Sequence, residues 1–297
     1  MAIDKVEVPG ALLHVEWAGD GPALLLIPGG GGDAGMYAEV VPLLARTFTV
    51  ITYDRRGNSR SPFTDPAASV APDRQADDAA AVLDHHGARQ AYVFGSSGGA
   101  IIALELVARH SHRLLGAVAH EPPLVGLLPP DAPERRELDH IARLARDGHL
   151  MRAYAAFGAM TLPDPPRLFL SPAGQAVIAA ATHVMLAAGD LARKVSGREP
   201  DPMTRQLRNA ELAFRRELPA VCLDHRPDLA ALAAATAPWC LATGRDSAGK
   251  PYYAPAHVLS RRLGIPCAEF PGGHLPYLHH PREFTGTLTT ILEGFAA

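Results

Sequence analysis

Residues 93–102 read VFGSSGGAII, and this short stretch decides the fold. An apolar run ends in Gly-Ser-Ser-Gly-Gly, and a stretch with a helical pattern follows at once. A residue at the tip of such a strand–turn–helix has a strained backbone, so its neighbours two positions away must be small. Gly95 and Gly99 meet this need around Ser97, whereas Ser96 has no small residue two positions before it. The pattern predicts that Ser97 is a nucleophile; a glycine turn that serves only close packing is the alternative.

Continuous apolar runs lie on both sides of this turn and predict strands that are buried on both faces. Runs of this length, bounded by Gly and Pro, suit a parallel sheet that is covered by helices. Helical patterns separate them, so the order predicts a doubly wound, mostly parallel α/β sheet. The predicted strands are 23–27, 48–53, 91–94, 114–119, 239–243 and 268–270, and the predicted helices include 73–86, 99–110 and 282–295.

A helical insertion interrupts this alternation. From about residue 124 to residue 235 the strand-like runs disappear, and Pro-rich breaks at 129–130 and 163–166 separate helical segments. We therefore expect a sheet-containing core formed by residues 1–123 and 236–297. Residues 124–235 are expected to fold over one edge of the sheet as a helical cap.

The composition excludes several classes of protein. The 297 residues are 47% hydrophobic and 20% charged, which is typical of a globular protein. The formal net charge is −3, and only three of the 28 cationic residues are Lys, so neither nucleic acid nor a membrane is an expected partner. The three Cys lie far apart without metal-ligand spacing, and no signal peptide or bilayer-length apolar run is visible. We expect a cytoplasmic protein without a metal, and the sequence leaves its oligomeric state open.

A second glycine-rich segment, PGGGGD at residues 28–33, follows the strand predicted at 23–27. Backbone N–H groups of glycines can line a cavity, which is how an oxyanion hole is built. No Lys-Ser or Lys-Thr follows the glycines, which argues against a phosphate-binding loop. A flexible loop is the remaining alternative. We expect the N–H groups of Gly30 and Gly98 to stabilise an oxyanion.

His274 lies in PGGHLP at residues 271–276, between the last predicted strand and the final helix. A loop that follows a sheet strand brings its side chain within reach of the turn that carries Ser97. Imidazole is suited to act as a general base and then as a general acid near neutral pH. Position rather than residue type singles out His274 among the 14 His of the chain.

The chain resembles the alpha/beta-hydrolase family in four segments that occur in the family's order. They are PGGGG at 28–32, YDRRGNS at 53–59, GSSGG at 95–99 and GGH at 272–274. The resemblance implies the alpha/beta-hydrolase fold and a Ser–acid–His triad, and it implies no metal or organic cofactor. Pro28 stands where the family usually has the His of His-Gly, so a side chain that often braces the oxyanion loop is missing. This loop also resembles, locally, the branch that includes zearalenone lactonases.

Two carboxylates compete for the acid position of the triad. In most of the family the acid is the fourth residue of a Gly-x-x-Asp turn after the strand represented here by 239–243. Ser247 occupies that position, and the carboxylate of Asp246 comes one residue early. Glu121 follows the strand predicted at 114–119. This arrangement resembles that of the zearalenone lactonases, which have a Glu after the same strand. Glu121 is therefore favoured over Asp246; the structural alternatives are a cap–core salt bridge for Glu121 and a turn cap for Asp246.

The motifs favour a serine hydrolase that cleaves a carboxylic ester or lactone through an acyl-enzyme on Ser97. Dehalogenases and epoxide hydrolases of this fold would be expected to have Asp at this position, so they are disfavoured. The alternatives are a haloperoxidase- or perhydrolase-like enzyme, a cofactor-free enzyme of the same fold, and a non-catalytic ligand-binding protein. A binding protein would be expected to have lost Ser97 or His274, and both are present.

The predicted cap carries an apolar-aromatic stripe of side chains at three-residue steps on one helix. Its members are Met151, Tyr154, Phe157 and Met160. If part of the stripe lines the pocket, the substrate is a medium-sized apolar acyl compound or macrolactone; packing of the cap on the core is the alternative. A cationic cluster later in the cap, interleaved with Glu211 and Glu217, predicts a solvated face. Its members are Arg205, Arg208, Arg215 and Arg216.

Overall fold

A sheet forms the centre of the computed structural model, which describes residues 1–162, 164–197 and 199–296. Its strands are β1 (Ala2–Val8), β2 (Ala11–Ala18), β3 (Ala23–Ile27), β4 (Thr49–Tyr53), β5 (Ala91–Ser96), β6 (Leu114–His120), β7 (Trp239–Gly244) and β8 (Cys267–Phe270). Their order across the sheet is β1-β2-β4-β3-β5-β6-β7-β8. Neighbours from β4 to β8 pair in parallel, whereas β2 pairs antiparallel with both β1 and β4. The predicted mostly parallel sheet is confirmed.

Helices cover both faces of the sheet. Those that precede β6 are α1 (Val41–Leu44), α2 (Pro72–His85) and α3 (Gly98–His110). Between β6 and β7 lie α4 (Pro133–Arg146), α5 (Leu150–Thr161), α6 (Pro172–Ser196), α7 (Pro202–Arg208), α8 (Ala210–Leu212), a π-helix (Ala213–Leu223) and α9 (Leu229–Ala233). After β7 come α10 (Tyr253–Leu263), α11 (Pro276–His279) and α12 (Pro281–Ala296).

Alternate side chains of the central strands enter two separate hydrophobic clusters. In β3, Leu25 and Ile27 belong to the cluster that contains residues of α2 and α3, whereas Leu24 and Leu26 belong to the cluster that contains residues of α1 and α12. Successive side chains of a strand point to opposite faces, so both faces of β3 are buried. This explains why the strand reads as a continuous apolar run.

The first two strands lie outside the predicted set. β1 is an edge strand in which only Val6 and Val8 are buried. An edge strand that is solvated over most of its length lacks the continuous apolar run by which the central strands are recognised.

The segment between β6 and β7 contains helices, and no strand occurs in its described part. Pro163, in one of the predicted Pro-rich breaks, lies outside the described residues. The division into a core and a cap at residues 124 and 235 stays a prediction. No helix in the described ranges is long and apolar enough to cross a membrane.

Candidate active site

Ser97 lies between the end of β5 at Ser96 and the first residue of α3, Gly98. Its backbone has a φ of +56° and a ψ of −122°, a conformation that residues other than glycine rarely adopt. A Cβ on Gly95 would lie 2.3 Å from the carbonyl oxygen of Gly99, and a Cβ on Gly99 would be as close to a carbonyl oxygen of β3. The strand and the helix therefore approach so closely that both positions require glycine.

The two adjacent serines have different surroundings. Ser96 is fully buried, and its hydroxyl oxygen lies 3.3 Å from the hydroxyl oxygen of Tyr277. Ser97 is 9% exposed and lies in the walls of two open chambers. Of the two hydroxyl groups, that of Ser97 is the one placed to meet a substrate.

Gly30 and Gly98, whose N–H groups are the predicted oxyanion donors, line one chamber together with Ser97. The Gly98 N–H is in the first turn of α3, where N–H groups have no partner within the helix. The carbonyl oxygen of Gly29 accepts a hydrogen bond from Arg55 Nη2 at 2.9 Å. Since the C=O and N–H of a trans peptide point in opposite directions, the Gly30 N–H points away from Arg55. Neither N–H has an acceptor among the described residues.

Arg55 uses all five of its N–H donors, and two of them brace the glycine-rich loop. Nε donates to the Pro28 carbonyl at 3.0 Å, Nη2 to the Gly29 carbonyl, and Nη1 to Gln75 Oε1 at 2.6 Å. The other two donors bind the carboxylate of Glu217, with Nη2 and Oε2 2.9 Å apart. Both side chains of this pair are buried. Arg55, which the sequence analysis did not single out, thus supplies a brace where Pro28 replaces the usual His.

Glu121 and His274 form a buried, hydrogen-bonded pair. Glu121 Oε2 and His274 Nδ1 are 2.6 Å apart, and their side chains are at most 1% exposed. The other carboxylate oxygen, Oε1, accepts the Gly244 N–H at 2.7 Å. Tyr252 stacks on the imidazole, with 3.7 Å between the ring centroids. These contacts fix the imidazole and leave Nε2 buried, without a hydrogen-bond partner in the described part of the chain.

The surroundings of Glu121 keep its carboxyl group ionised. Burial raises the pKa of this carboxyl, but its electrostatic interactions with the imidazoles of His120 and His274 and the His274 hydrogen bond outweigh burial, so the pKa lies below its ordinary value. A carboxylate that accepts from Nδ1 selects the tautomer in which Nε2 carries no proton. In that form His274 is able to take a proton from a hydroxyl group.

Asp246 lies on the surface after β7. Its backbone N–H donates to the Gly272 carbonyl at 2.9 Å, whereas its carboxylate has no hydrogen bond or ion pair within the described ranges. The structure therefore brings Glu121, the favoured carboxylate, to His274 and leaves Asp246 apart.

Two chambers meet at Ser97, and Phe157 forms part of the wall of both. The inner chamber has a free volume of about 50 Å³ and is lined by apolar side chains such as Leu138 and Val221. The outer chamber has a free volume of about 400 Å³, and His274 lies in its wall.

Three of the four side chains in the predicted apolar stripe reach a chamber. Met160 lines the inner chamber, Tyr154 lines the outer chamber, and Phe157 lines both. Met151 lines neither chamber: it is 6% exposed and packs into a hydrophobic cluster of the core. A three-residue step drifts around a helix of 3.6 residues per turn, which accounts for the different surroundings of Met151.

The cationic cluster does not form the single solvated face that its spacing predicts. Arg215 does pair with the exposed Glu211 at 2.9 Å. Arg205 instead pairs with the buried Asp33 of the glycine-rich segment, with Nε and Oδ2 2.6 Å apart. Local spacing favours partners within one helix and does not reveal a partner that lies in another segment.

Comparisons with known proteins give the same fold. A family model described as the alpha/beta hydrolase fold matches residues 22–159. The uncharacterized hydrolase YraK of Bacillus subtilis (strain 168) is 30% identical over 292 residues, which are 97% of this chain and 95% of YraK. A zearalenone hydrolase of Cladophialophora bantiana is 33% identical over 113 residues, which are 37% of this chain and 43% of that protein. The crystal structure of the enol-lactonase from Burkholderia xenovorans LB400 superposes with a TM-score of 0.65 at 19% identity, over 98% of this chain and 100% of that one.

Proposed function

The chain belongs to the alpha/beta-hydrolase family, and we propose that it is a serine hydrolase that cleaves a carboxylic ester or lactone of a medium-sized apolar substrate. One observation carries this proposal: the strained Ser97 shares a chamber with His274, whose imidazole is held by Glu121 and whose Nε2 has no hydrogen-bond partner among the described residues. The apolar side chains of both chambers support an apolar substrate.

In the proposed mechanism, Ser97 Oγ attacks the carbonyl carbon of the substrate while His274 Nε2 takes its proton. Glu121 holds the opposite side of the ring and stabilises the imidazolium that forms. The N–H groups of Gly30 and Gly98 donate to the developing oxyanion, and each such donor typically contributes about 3 kcal/mol.

The imidazolium then gives its proton to the leaving oxygen, and the alcohol departs from an acyl-enzyme on Ser97. His274 next takes a proton from a water molecule, which attacks the acyl carbonyl. Collapse of the second tetrahedral intermediate releases the acid and returns the proton to Ser97 Oγ. For a lactone, the alcohol and the acid leave as one hydroxy acid.

Labelling with a fluorophosphonate probe tests the nucleophile. We expect the wild-type protein to be labelled at Ser97 near neutral pH, because an activated serine attacks phosphorus as it would attack a carbonyl. Ser97→Ala should abolish labelling. Ser96→Ala is the matched control, because Ser96 is the adjacent hydroxyl but lies buried against Tyr277, and this variant should still be labelled.

Peptide mapping of the labelled protein decides the outcome. Labelling at Ser96, or no labelling near neutral pH, would contradict the assignment. A panel of p-nitrophenyl esters and lactones completes the test: labelling at Ser97 without turnover of either class would instead favour the perhydrolase-like, cofactor-free or binding alternatives.

A further inference from the structure

We propose that the two chambers divide the substrate at its scissile bond, with the acyl group in the inner chamber and the alcohol group in the outer chamber. The preferred substrates are then esters of short, uncharged apolar acids with larger apolar alcohols. This assignment rests on the proposed function, because it concerns the two sides of the bond that Ser97 attacks.

His274 sets the direction in which the substrate lies. A histidine that accepts the proton of the nucleophile later gives it to the leaving oxygen, so the alcohol group lies on the side of the imidazole. Among the described residues, His274 belongs to the wall of the outer chamber and not to that of the inner chamber. Tyr252, which stacks on the imidazole, occupies the inner wall instead. The acyl group therefore extends away from His274 and into the inner chamber.

The free volumes set the sizes of the two groups. A cavity needs roughly 10–15 Å³ of such volume to hold one water molecule. The 50 Å³ of the inner chamber is therefore enough for a chain of about four heavy atoms, whereas the 400 Å³ of the outer chamber is enough for a much larger group. An acetyl to butyryl group fits the inner chamber without displacement of its walls.

The inner wall offers no free cationic partner to an anionic acyl group. Arg55 is its cationic side chain, but all five of its donors are already bound to Pro28, Gly29, Gln75 and Glu217. The carboxylate of Glu217 in turn accepts from Arg55 and from the side-chain amide of Asn58. A buried carboxylate of the substrate would remain without a free cationic partner there, and other polar groups would face a mostly apolar wall, which is unfavourable. The acyl group is therefore apolar and uncharged.

Phe157 lines both chambers and lies above the oxyanion loop. A Cβ on Gly30 would lie 3.0 Å from the Phe157 ring, so the ring covers the loop directly. The acyl and alcohol parts of a macrolactone are joined, so such a ring would have to occupy both chambers around Phe157. An open-chain ester places its two parts in the two chambers separately and fits this shape better.

The first experiment measures how kcat/KM depends on acyl length. The p-nitrophenyl esters from acetate to decanoate share one alcohol group, so differences among them report the acyl site. We expect the highest kcat/KM between acetate and butyrate and a fall of at least about tenfold by decanoate, because a misfit of a single methylene already changes specificity by about that factor.

Substitutions in each chamber show which chamber sets the dependence of kcat/KM on acyl length. Val221→Ala enlarges the inner chamber, and its optimum should move to longer acyl chains; Leu138→Ala, on a different helix, repeats the test if Val221→Ala folds poorly. Met203→Ala is the matched control, because Met203 lines the outer chamber alone and is 59% exposed. It should leave the acyl profile unchanged and alter the preference between ethyl and larger alkyl acetates.

The possible results distinguish failure of the chamber assignment from failure of the proposed function. Turnover that rises steadily to decanoate, or an acyl profile that moves with Met203→Ala and not with the inner variants, would overturn the assignment of the chambers while a labelled Ser97 keeps the hydrolase proposal. Failure of labelling together with absence of turnover would overturn both.

Discussion

Glu121 has a backbone φ of +52°, and Ser97 has a φ of +56°. A non-glycine residue in this region costs of order 1–3 kcal/mol and persists only where its surroundings hold it. Glu121 is held by three hydrogen bonds: its N–H donates to the Ala242 carbonyl, and its carboxylate accepts from the Gly244 N–H and from His274 Nδ1. In the described chain, two of the three non-glycine residues with positive φ are thus those that we propose as acid and nucleophile.

The identity of the triad acid is tested by two conservative substitutions. Glu121→Gln should lower kcat by roughly 10³–10⁴, because an amide no longer selects the imidazole tautomer or stabilises the imidazolium. Asp246→Asn should change kcat far less, because this carboxylate lies on the surface without a partner in the described ranges. Steady-state hydrolysis of a p-nitrophenyl ester at saturating substrate measures kcat of both variants, with His274→Ala as the reference for loss of the base. The reverse ranking of the two variants would move the acid to Asp246.

The predictability of an element depended on where it lies in the sheet. The central strands are buried on both faces and read as continuous apolar runs, so the sequence predicted them to within two residues. The solvated edge strand β1 carries no such signal. The π-helix Ala213–Leu223 was also outside the predictions: it contains Pro219, which spacing rules treat as a helix breaker. This helix is also held by a contact that is distant in sequence, that of Glu217 with Arg55.

Arg55 connects the segment after β4 to the glycine-rich loop after β3, and this connection leads to a testable prediction. Arg55, after β4, holds the two carbonyls of the loop after β3 and binds Glu217 of the π-helix. Arg55→Lys should lower kcat by roughly tenfold to a hundredfold, part of the loss expected when one oxyanion donor is removed, with little change in KM. Arg56→Lys is the matched control: Arg56 is equally buried and binds Asp78 with two nitrogens, but none of its side-chain hydrogen bonds among the described residues reaches the oxyanion loop.

In these two variants, steady-state kinetics reports the positioning of the oxyanion loop, and thermal unfolding reports the stability of the fold. Arg56→Lys should lower the midpoint of unfolding and retain kcat, since the Arg56 side chain binds neither Ser97 nor the oxyanion loop in the described chain. Equal losses of kcat in both variants, or a loss in Arg55→Lys that appears in KM alone, would show that Arg55 does not position the oxyanion loop.

The candidate site was predictable because the central strands of the sheet are parallel. Gly30, Ser97, Glu121 and His274 follow β3, β5, β6 and β8, and the carboxyl ends of parallel strands lie at one edge of the sheet. Motif order and topology therefore indicate which residues meet. The choice between Glu121 and Asp246 depended on the register of a turn, and Glu217 approaches from a helix 162 residues from Arg55, which no local pattern reveals.

The buried side chain of His120 affects the stability of the folded protein. Its ring is fully buried, and the ring centroid lies 6.0 Å from that of Phe94 and 5.4 Å from that of Phe270. Neither ring nitrogen has a hydrogen-bond partner in the described chain. Burial lowers the pKa of His120 from 6.5 to about 4; the charge of Glu121 opposes this shift, and that of His274 adds to it.

The stability of the fold should therefore depend on pH through His120. Between pH 6.5 and about 4 the unfolded chain binds a proton at this residue that the folded chain does not bind, so stability falls as pH falls through this window, by up to about 3 kcal/mol. Urea unfolding at about pH 7 and about pH 4.5 measures the difference. His120→Leu should make the free energy of unfolding less dependent on pH, because the titrating group is gone. His140→Leu, at an exposed position of α4, is the control and should leave that dependence as in the wild type. Equal pH dependence in His120→Leu and the wild type would contradict a buried, neutral His120.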